Sequence, residues 1–101
     1  MTVAQAQAGH EARAAEVRAF LGALQDELCR EFAAADNTRD FQRDPWERRG
    51  GAEALAGDGI TAVLEDGALF ERGGVALSDV RGTRLPPAAT ARNPHLAGRA
   101  F

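Results

Sequence analysis

A chain of 101 residues, 45% hydrophobic and 27% charged, has room for one small domain or part of a larger one, and its composition excludes wholesale disorder. All the basic residues are Arg, and they are unevenly placed. Up to Asp79 eight Arg stand against fifteen carboxylates, a net of −7, and from Val80 onward four Arg stand with no acid, a net of +4. The single Cys29 excludes a disulfide framework within one chain, and no basic start with a long apolar run marks a signal peptide or membrane span, so a soluble cytoplasmic protein is expected.

Residues 1–10 read as a loose leader of small and polar side chains. From Glu11 to Ala35 the residues Ala14, Val17, Leu21, Leu24, Leu28 and Phe32 recur every three or four positions, with Phe20 widening the stripe. That spacing predicts an amphipathic helix over 11–35 whose stripe faces a core, rather than a coiled-coil strand. Cys29, inside it, reads as a small buried hydrophobe. Asp36-Asn37-Thr38 suits the helix end and the turn that follows.

Asp40 to Glu47 reads as a short extended piece in which Pro45 argues against a central strand. Trp46, the only Trp, reads as a core plug or an interface residue. Gly50 to Gly59 reads as a turn-rich link with a short helical turn at Ala52–Ala56. It has neither the Lys-Ser/Thr pair of a phosphate loop nor the glycine spacing of a dinucleotide site.

The sharpest local signal is the run from Ile60 to Ser78. Asp66-Gly67 lies between two β-rich stretches, and a two-residue type I′ turn needs φ > 0 at both central positions. The predicted hairpin pairs Glu65 with Ala68, Leu64 with Leu69 and Val63 with Phe70. One face then carries Ile60, Ala62, Leu64 and Leu69, and the other Thr61, Val63 and Phe70. Both faces are apolar near the turn, so each needs cover: the preceding helix on one side, and further chain or a second copy on the other. Gly73-Gly74 predicts a bulge or a close backbone approach in the second strand, with alternation resuming at Val75, Leu77 and Val80. Residues 81–101 read as connecting structure with short helical turns at 88–92 and 94–97. Their four Arg make a solvated loop or an anion-facing surface.

No catalytic constellation is visible in these residues. His10 and His95 lack companions at metal-ligand spacing, and neither Ser78 beside Asp79 nor Cys29 comes with a motif that positions a base and an oxyanion hole. The residues themselves therefore predict an α+β piece: an N-terminal amphipathic helix, then antiparallel strands (residues 60–80) belonging to a larger sheet. On that footing a non-enzymatic helix-plus-hairpin interaction module is one reading. Nucleic-acid binding by the tail is disfavoured by the net charge of −3 and by the lack of aromatics between the Arg residues.

Taken in order, however, Leu24-Gln25-Asp26, the segment Phe41 to Arg48 with its Asp44-Pro45-Trp46-Glu47, the pattern Asp66-Gly67-x-x-Phe70-Glu71-x-Gly73-Gly74-Val75, and the pattern Leu85-Pro86-x-x-Ala89-Thr90-x-x-x-Pro94-x-Leu96-Ala97-Gly98-Arg99 followed by Phe101 resemble the N-terminal part of oxygen-dependent coproporphyrinogen III oxidases. The resemblance covers most of the chain. It implies an aerobic oxidoreductase of haem biosynthesis that decarboxylates two propionates of coproporphyrinogen III to give protoporphyrinogen IX, with dioxygen as co-substrate. It also implies a cytoplasmic or organellar homodimer built on a broad antiparallel sheet flanked by helices. Whether the full-length family uses a divalent metal is left open.

The family's chain is about three times longer, and its substrate-contacting Ser and its His residues fall in a Gly-Val-Ser segment and a following His-Pro beyond the position of Phe101. The resemblance thus implies an amino-terminal fragment with no catalytic, substrate-binding, metal or cofactor residue of its own, inactive alone. What carries over is dimerisation, through the strand–turn–strand Val63, Leu64, Glu65, Asp66, Gly67, Ala68, Leu69, Phe70, Glu71 and Arg72. The longer link from Gly51 to Gly59, with Ala62 where the family has an Arg, departs from the family pattern.

Overall fold

The computed structural model describes residues 2–50 and 55–101. It is an α+β structure: helix α1 (Val3–Asp36), then antiparallel strands β1 (Gln42–Arg48), β2 (Ala56–Glu65) and β3 (Arg72–Arg81) in the order β1-β2-β3, then a short helix α2 (Pro87–Thr90) and a 3-10 turn at Pro94–Leu96. Pro45 does lie on an edge strand, as its missing N–H requires. The chain forms two compact units, Met1–Arg43 with Thr61–Leu77, and Asp44–Ile60 with Ser78–Phe101.

In the first unit α1 begins at Val3, so the expected leader is helical. Thr2 and Gln5 form a capping box, in which Gln5 N donates to Thr2 Oγ1 (3.1 Å) and Thr2 N to Gln5 Oε1 (2.8 Å). The Ala- and Gln-rich run behind it has high helix propensity. At the other end Asn37 adopts the left-handed conformation (φ 64°), and its N–H reaches Ala33 O at 2.9 Å.

The side of α1 that is buried is not the predicted one. Gln25, Cys29 and Asp36 are buried, whereas Val17 is 55% exposed, Phe20 67%, and Leu21 and Leu24 38% each. At 100° per residue the apolar stripe lies about a quarter-turn from the buried line. The sheet asks the helix for a small side chain and a hydrogen-bond donor, which Cys29 and Gln25 supply; Gln25 Nε2 donates to Val75 O at 2.9 Å. A hydrophobicity pattern registers neither demand. Burial also pushes the Cys29 thiol above its ordinary pKa.

Ala62 and Leu64 of β2 are fully buried and Leu77 of β3 nearly so, which is the inward face expected of the hairpin. Its turn differs. Asp66 has the expected positive φ (56°), but Gly67 does not share it, and the strands are joined by Asp66–Glu71. Asp66 N donates to Glu71 O (3.0 Å) and Gly67 N to Phe70 O (2.9 Å), so Ala68-Leu69 is the tip and Glu65 faces Arg72. Leu69 is therefore not paired with Leu64 and is 62% exposed.

The cause lies some thirty residues upstream. Asp36 Oδ2 accepts Thr38 N (3.2 Å), Thr38 Oγ1 (2.7 Å) and Arg39 N (3.0 Å), while Oδ1 accepts Leu69 N (2.9 Å) and Phe70 N (3.0 Å). Thr38 Oγ1 in turn accepts Ala68 N at 3.0 Å. Beside this anchor the rings of Phe32 and Phe70 meet edge to face, centroids 5.7 Å apart. An apolar cleft of about 140 Å³ lies next to them, lined by Phe32, Phe41, Leu64, Phe70, Gly73, Gly74 and Val75.

In the second unit β2 begins at Ala56, so Gly57-Asp58-Gly59 is strand rather than link; the rest of the predicted turn, at residues 52–54, lies outside the described residues. The close approach expected at Gly73-Gly74 occurs instead at Gly57 (φ 141°), where any Cβ would run into Asp79 O. β3 runs unbroken through Gly73-Gly74. The tail closes on itself: Gly82 and Phe101 exchange both backbone hydrogen bonds at 3.0 Å, and Leu85 N donates to Arg99 O at 2.8 Å. Arg48 stacks over the half-buried Trp46, 5.7 Å from the ring centroid.

The two glycines on either side of the hairpin tip carry opposite expectations. Gly67→Ala places a Cβ against the Asp36 carboxylate and lowers the melting temperature; Gly73→Ala, whose Cβ meets no atom within 4 Å, raises stability by roughly 0.4–1 kcal/mol. Thermal unfolding of both variants checks this, and a destabilised Gly73→Ala would contradict it. Asp36→Ala strands the amides of Leu69 and Phe70 and lowers the melting temperature. The Phe70 amide, followed by the Thr38 and other hydrogen bonds against the opposing cost of desolvation, holds the Asp36 carboxyl well below the usual carboxylate range. A depressed folded pKa gives stability that is full above the unfolded value of about 3.9 and is lost as pH falls through the folded one. The gap between wild type and Asp36→Ala is therefore constant above about pH 5 and shrinks at lower pH.

Candidate functional site

The hairpin end of the first unit is the stretch expected to make a contact. Leu64 is interior, and Val63, Gly67 and Phe70 are half-buried, while Glu65, Asp66, Ala68, Leu69, Glu71 and Arg72 are exposed. The ten residues expected to dimerise thus split in two: Leu64 and Phe70 hold the hairpin to its own helix, and the tip and its charged flanks face outward. Glu65 and Arg72 form a surface ion pair at 3.5 Å, a weak restraint in solvent. Arg39 Nε donates to Asp66 O at 3.2 Å and ties the 38–42 segment to the same turn. An open cleft of about 590 Å³ lies there, lined by Thr38 to Gln42, Val63, Glu65 and Asp66.

Asp36 and Thr38, which place the tip, are residues that sequence reasoning assigns only to a helix end. Their one signal is the Asp-Asn-Thr cluster itself, and nothing local ties it to Leu69 and Phe70. The Asp36 carboxylate accepts five donors and is held ionised. It is an anchor, with no capacity left to take a proton from a ligand.

In the second unit an open cleft of about 600 Å³ is lined by Leu55, Thr83, Arg84, Leu85, Pro86, Pro87 and Gly98. Arg81, Arg84, Arg92 and Arg99 are all exposed in this unit, and Thr83 and Arg84 already have partners. The surface is basic, but among the described residues it presents no buried polar side chain aimed at a ligand. His10 and His95 are exposed, and among the described residues no three His, Cys, Asp or Glu side chains gather to hold a metal ion. Ser78 is exposed on β3.

Both clefts lie in the stretch that a family model recognises. The model described as Coproporphyrinogen III oxidase matches residues 16–101, which takes in most of α1, every strand, the hairpin tip and the closed tail. With all but the first fifteen residues accounted for in this way, the chain belongs to the coproporphyrinogen III oxidase family.

Proposed function

We propose that this chain carries the N-terminal portion of an oxygen-dependent coproporphyrinogen III oxidase of the cytoplasm, acting in haem biosynthesis. The observation that carries the reading is the family match over 16–101. The reaction turns each of two propionates into a vinyl group: carbon dioxide leaves, and two electrons and a proton are removed, with dioxygen as the acceptor. The contribution of these 101 residues is architectural. They supply a helix-backed hairpin for assembly, and they contain neither a Gly-Val-Ser segment nor a His-Pro. By themselves they bind no cofactor and turn over no porphyrinogen. In the assembled enzyme the exposed tip around Leu69 meets a second subunit, a role supported by its exposure and by its rigid seat on Asp36.

Three experiments test this. Replacing the matching segment of an active family member with residues 16–101 keeps oxidase activity in the chimera, measured by fluorescence of the oxidised product; a folded but inactive chimera counts against the reading. The purified chain alone shows no conversion of coproporphyrinogen III, and turnover by it would overturn the architectural role. Leu69→Asp weakens self-association of the chimera in light scattering. Leu69 is the informative position, because Phe70→Asp would also break the contact with Phe32.

A further inference from the structure

From Val80 onward the chain carries four Arg and no carboxylate, against eight Arg and fifteen carboxylates before it. Arg81, Arg84, Arg92 and Arg99 are all exposed, and all lie in the second unit. Arg84 is engaged, whereas Arg81, Arg92 and Arg99 have no carboxylate partner among the described residues. Of the acids in that unit, Glu47 pairs with Arg49 at 3.3 Å, and Asp58 and Asp79 are also engaged. We propose that the closed tail is an electrostatic guide for a tetracarboxylate: its arginines draw the four propionates of coproporphyrinogen III from solution and hold substrate in preference to product, which keeps two. This inference rests on the oxidase reading and adds a role to the architectural one.

Charges guide a ligand best when they are held in place before it arrives. The tail is tied at its ends and along its length. Gly82 and Phe101 exchange both backbone hydrogen bonds, and Leu85 N donates to Arg99 O. Between them Ala89 N reaches Pro86 O (3.0 Å), Asn93 N reaches Thr90 O (3.2 Å) and Arg99 N reaches Leu96 O (3.2 Å). Pro86, Pro87 and Pro94 fix φ at three further points. The open cleft of about 600 Å³ in this unit offers Leu55, Leu85, Pro86 and Pro87 as an apolar floor, with Arg84 on its lining and Arg99 directly after the lining residue Gly98. A macrocycle with an apolar body and a charged rim fits such a landing surface, which needs no buried polar group.

What the tail lacks narrows the kind of anion. A protein partner is gripped by buried aromatic anchors, and single-stranded nucleic acid by aromatics that stack on its bases. Phe101, whose ring lies against Gly82, is the only Phe, Trp or Tyr from Val80 onward. A small polyanion needs no such anchor. At physiological ionic strength the Debye length is about 8 Å, so the arginines act over the last stretch of approach. The attraction falls with every carboxylate lost. The first decarboxylation leaves three and the second two, so the intermediate is held more firmly than the product.

Fluorescence titration of the full chain with coproporphyrin III, the oxidised tetracarboxylate, tests the proposal, with circular dichroism confirming that each variant is folded. The chain binds it at low ionic strength, and affinity falls at least about tenfold as salt shortens the Debye length from about 30 Å to about 3 Å. Arg92→Glu with Arg99→Glu weakens binding at least about tenfold, whereas Arg13→Glu with Arg30→Glu, the same change in net charge placed on α1, shifts it by less than about twofold. A dipropionate porphyrin binds with a shallower dependence on salt. Absence of binding overturns the guide. So does binding that ignores salt, or that the α1 variants weaken as much as the tail variants, since apolar contact or overall charge would then account for it. In the active chimera Arg92→Glu with Arg99→Glu lowers kcat/KM more than kcat and releases more of the tricarboxylate intermediate. An active chimera with kcat/KM unchanged removes the guide alone; a folded, inactive chimera removes the oxidase reading and the guide with it.

Discussion

One carboxylate joins the two halves of the first unit. Asp36 ends α1, and its two oxygens divide the work: Oδ2 closes the turn into Thr38 and Arg39, and Oδ1 receives the amides of Leu69 and Phe70. A helix C-terminus carries the negative end of the helix dipole, so a carboxylate there is disfavoured on electrostatic grounds. It is stable because it is saturated with donors. The same saturation moves the hairpin tip from Asp66-Gly67 to Ala68-Leu69, since the amides at the tip are satisfied by the anchor rather than across the strand pair. Gly67 is needed for room beside that carboxylate rather than for a positive φ.

This explains which parts of the fold were legible in the sequence. The inward face of β2 was, because Ala62 and Leu64 alternate with Thr61 and Val63, and a shift of the pairing by an even number of residues leaves each side chain on its face. Residues 40–47 were legible as an extended piece that Pro45 keeps from the centre of a sheet; that it forms an edge strand, Gln42–Arg48, is seen only in the structure. The register did not follow, because it is set by a residue some thirty positions away. Asp-Gly is a strong local signal for a tight turn, and here a tertiary hydrogen-bond set outweighs it. The start of α1 was missed for the opposite reason: Thr2 and Gln5 are a local signal, a capping box, set in a run too poor in large apolar residues to show helical periodicity.

The candidate contact region was legible only as a stretch. Resemblance marks 63–72 as a unit, yet the structure divides it by depth. Leu64 and Phe70 face their own helix and Leu69 faces solvent, so a segment named for dimerisation contains residues whose loss would act through folding. Telling the two apart needs the packing of Phe32 on Phe70, which no spacing rule encodes.

The helix raises the same question on a larger scale. A stripe of Val17, Leu21, Leu24 and Leu28 would ordinarily be assigned to the core, since burial of apolar surface is the main force driving folding. Here Gln25 and Cys29, suited by hydrogen bonding and size, meet the sheet, while Leu28 is half-buried and Val17, Leu21 and Leu24 stay exposed. The helix thus has two distinct faces about a quarter-turn apart, one matched to its own sheet and one apolar and exposed at Val17, Leu21 and Leu24. Alternation and heptad spacing report that a face is apolar. They carry no information on which surface that face meets, and only the line of polar and small residues shows which side of α1 packs on this sheet.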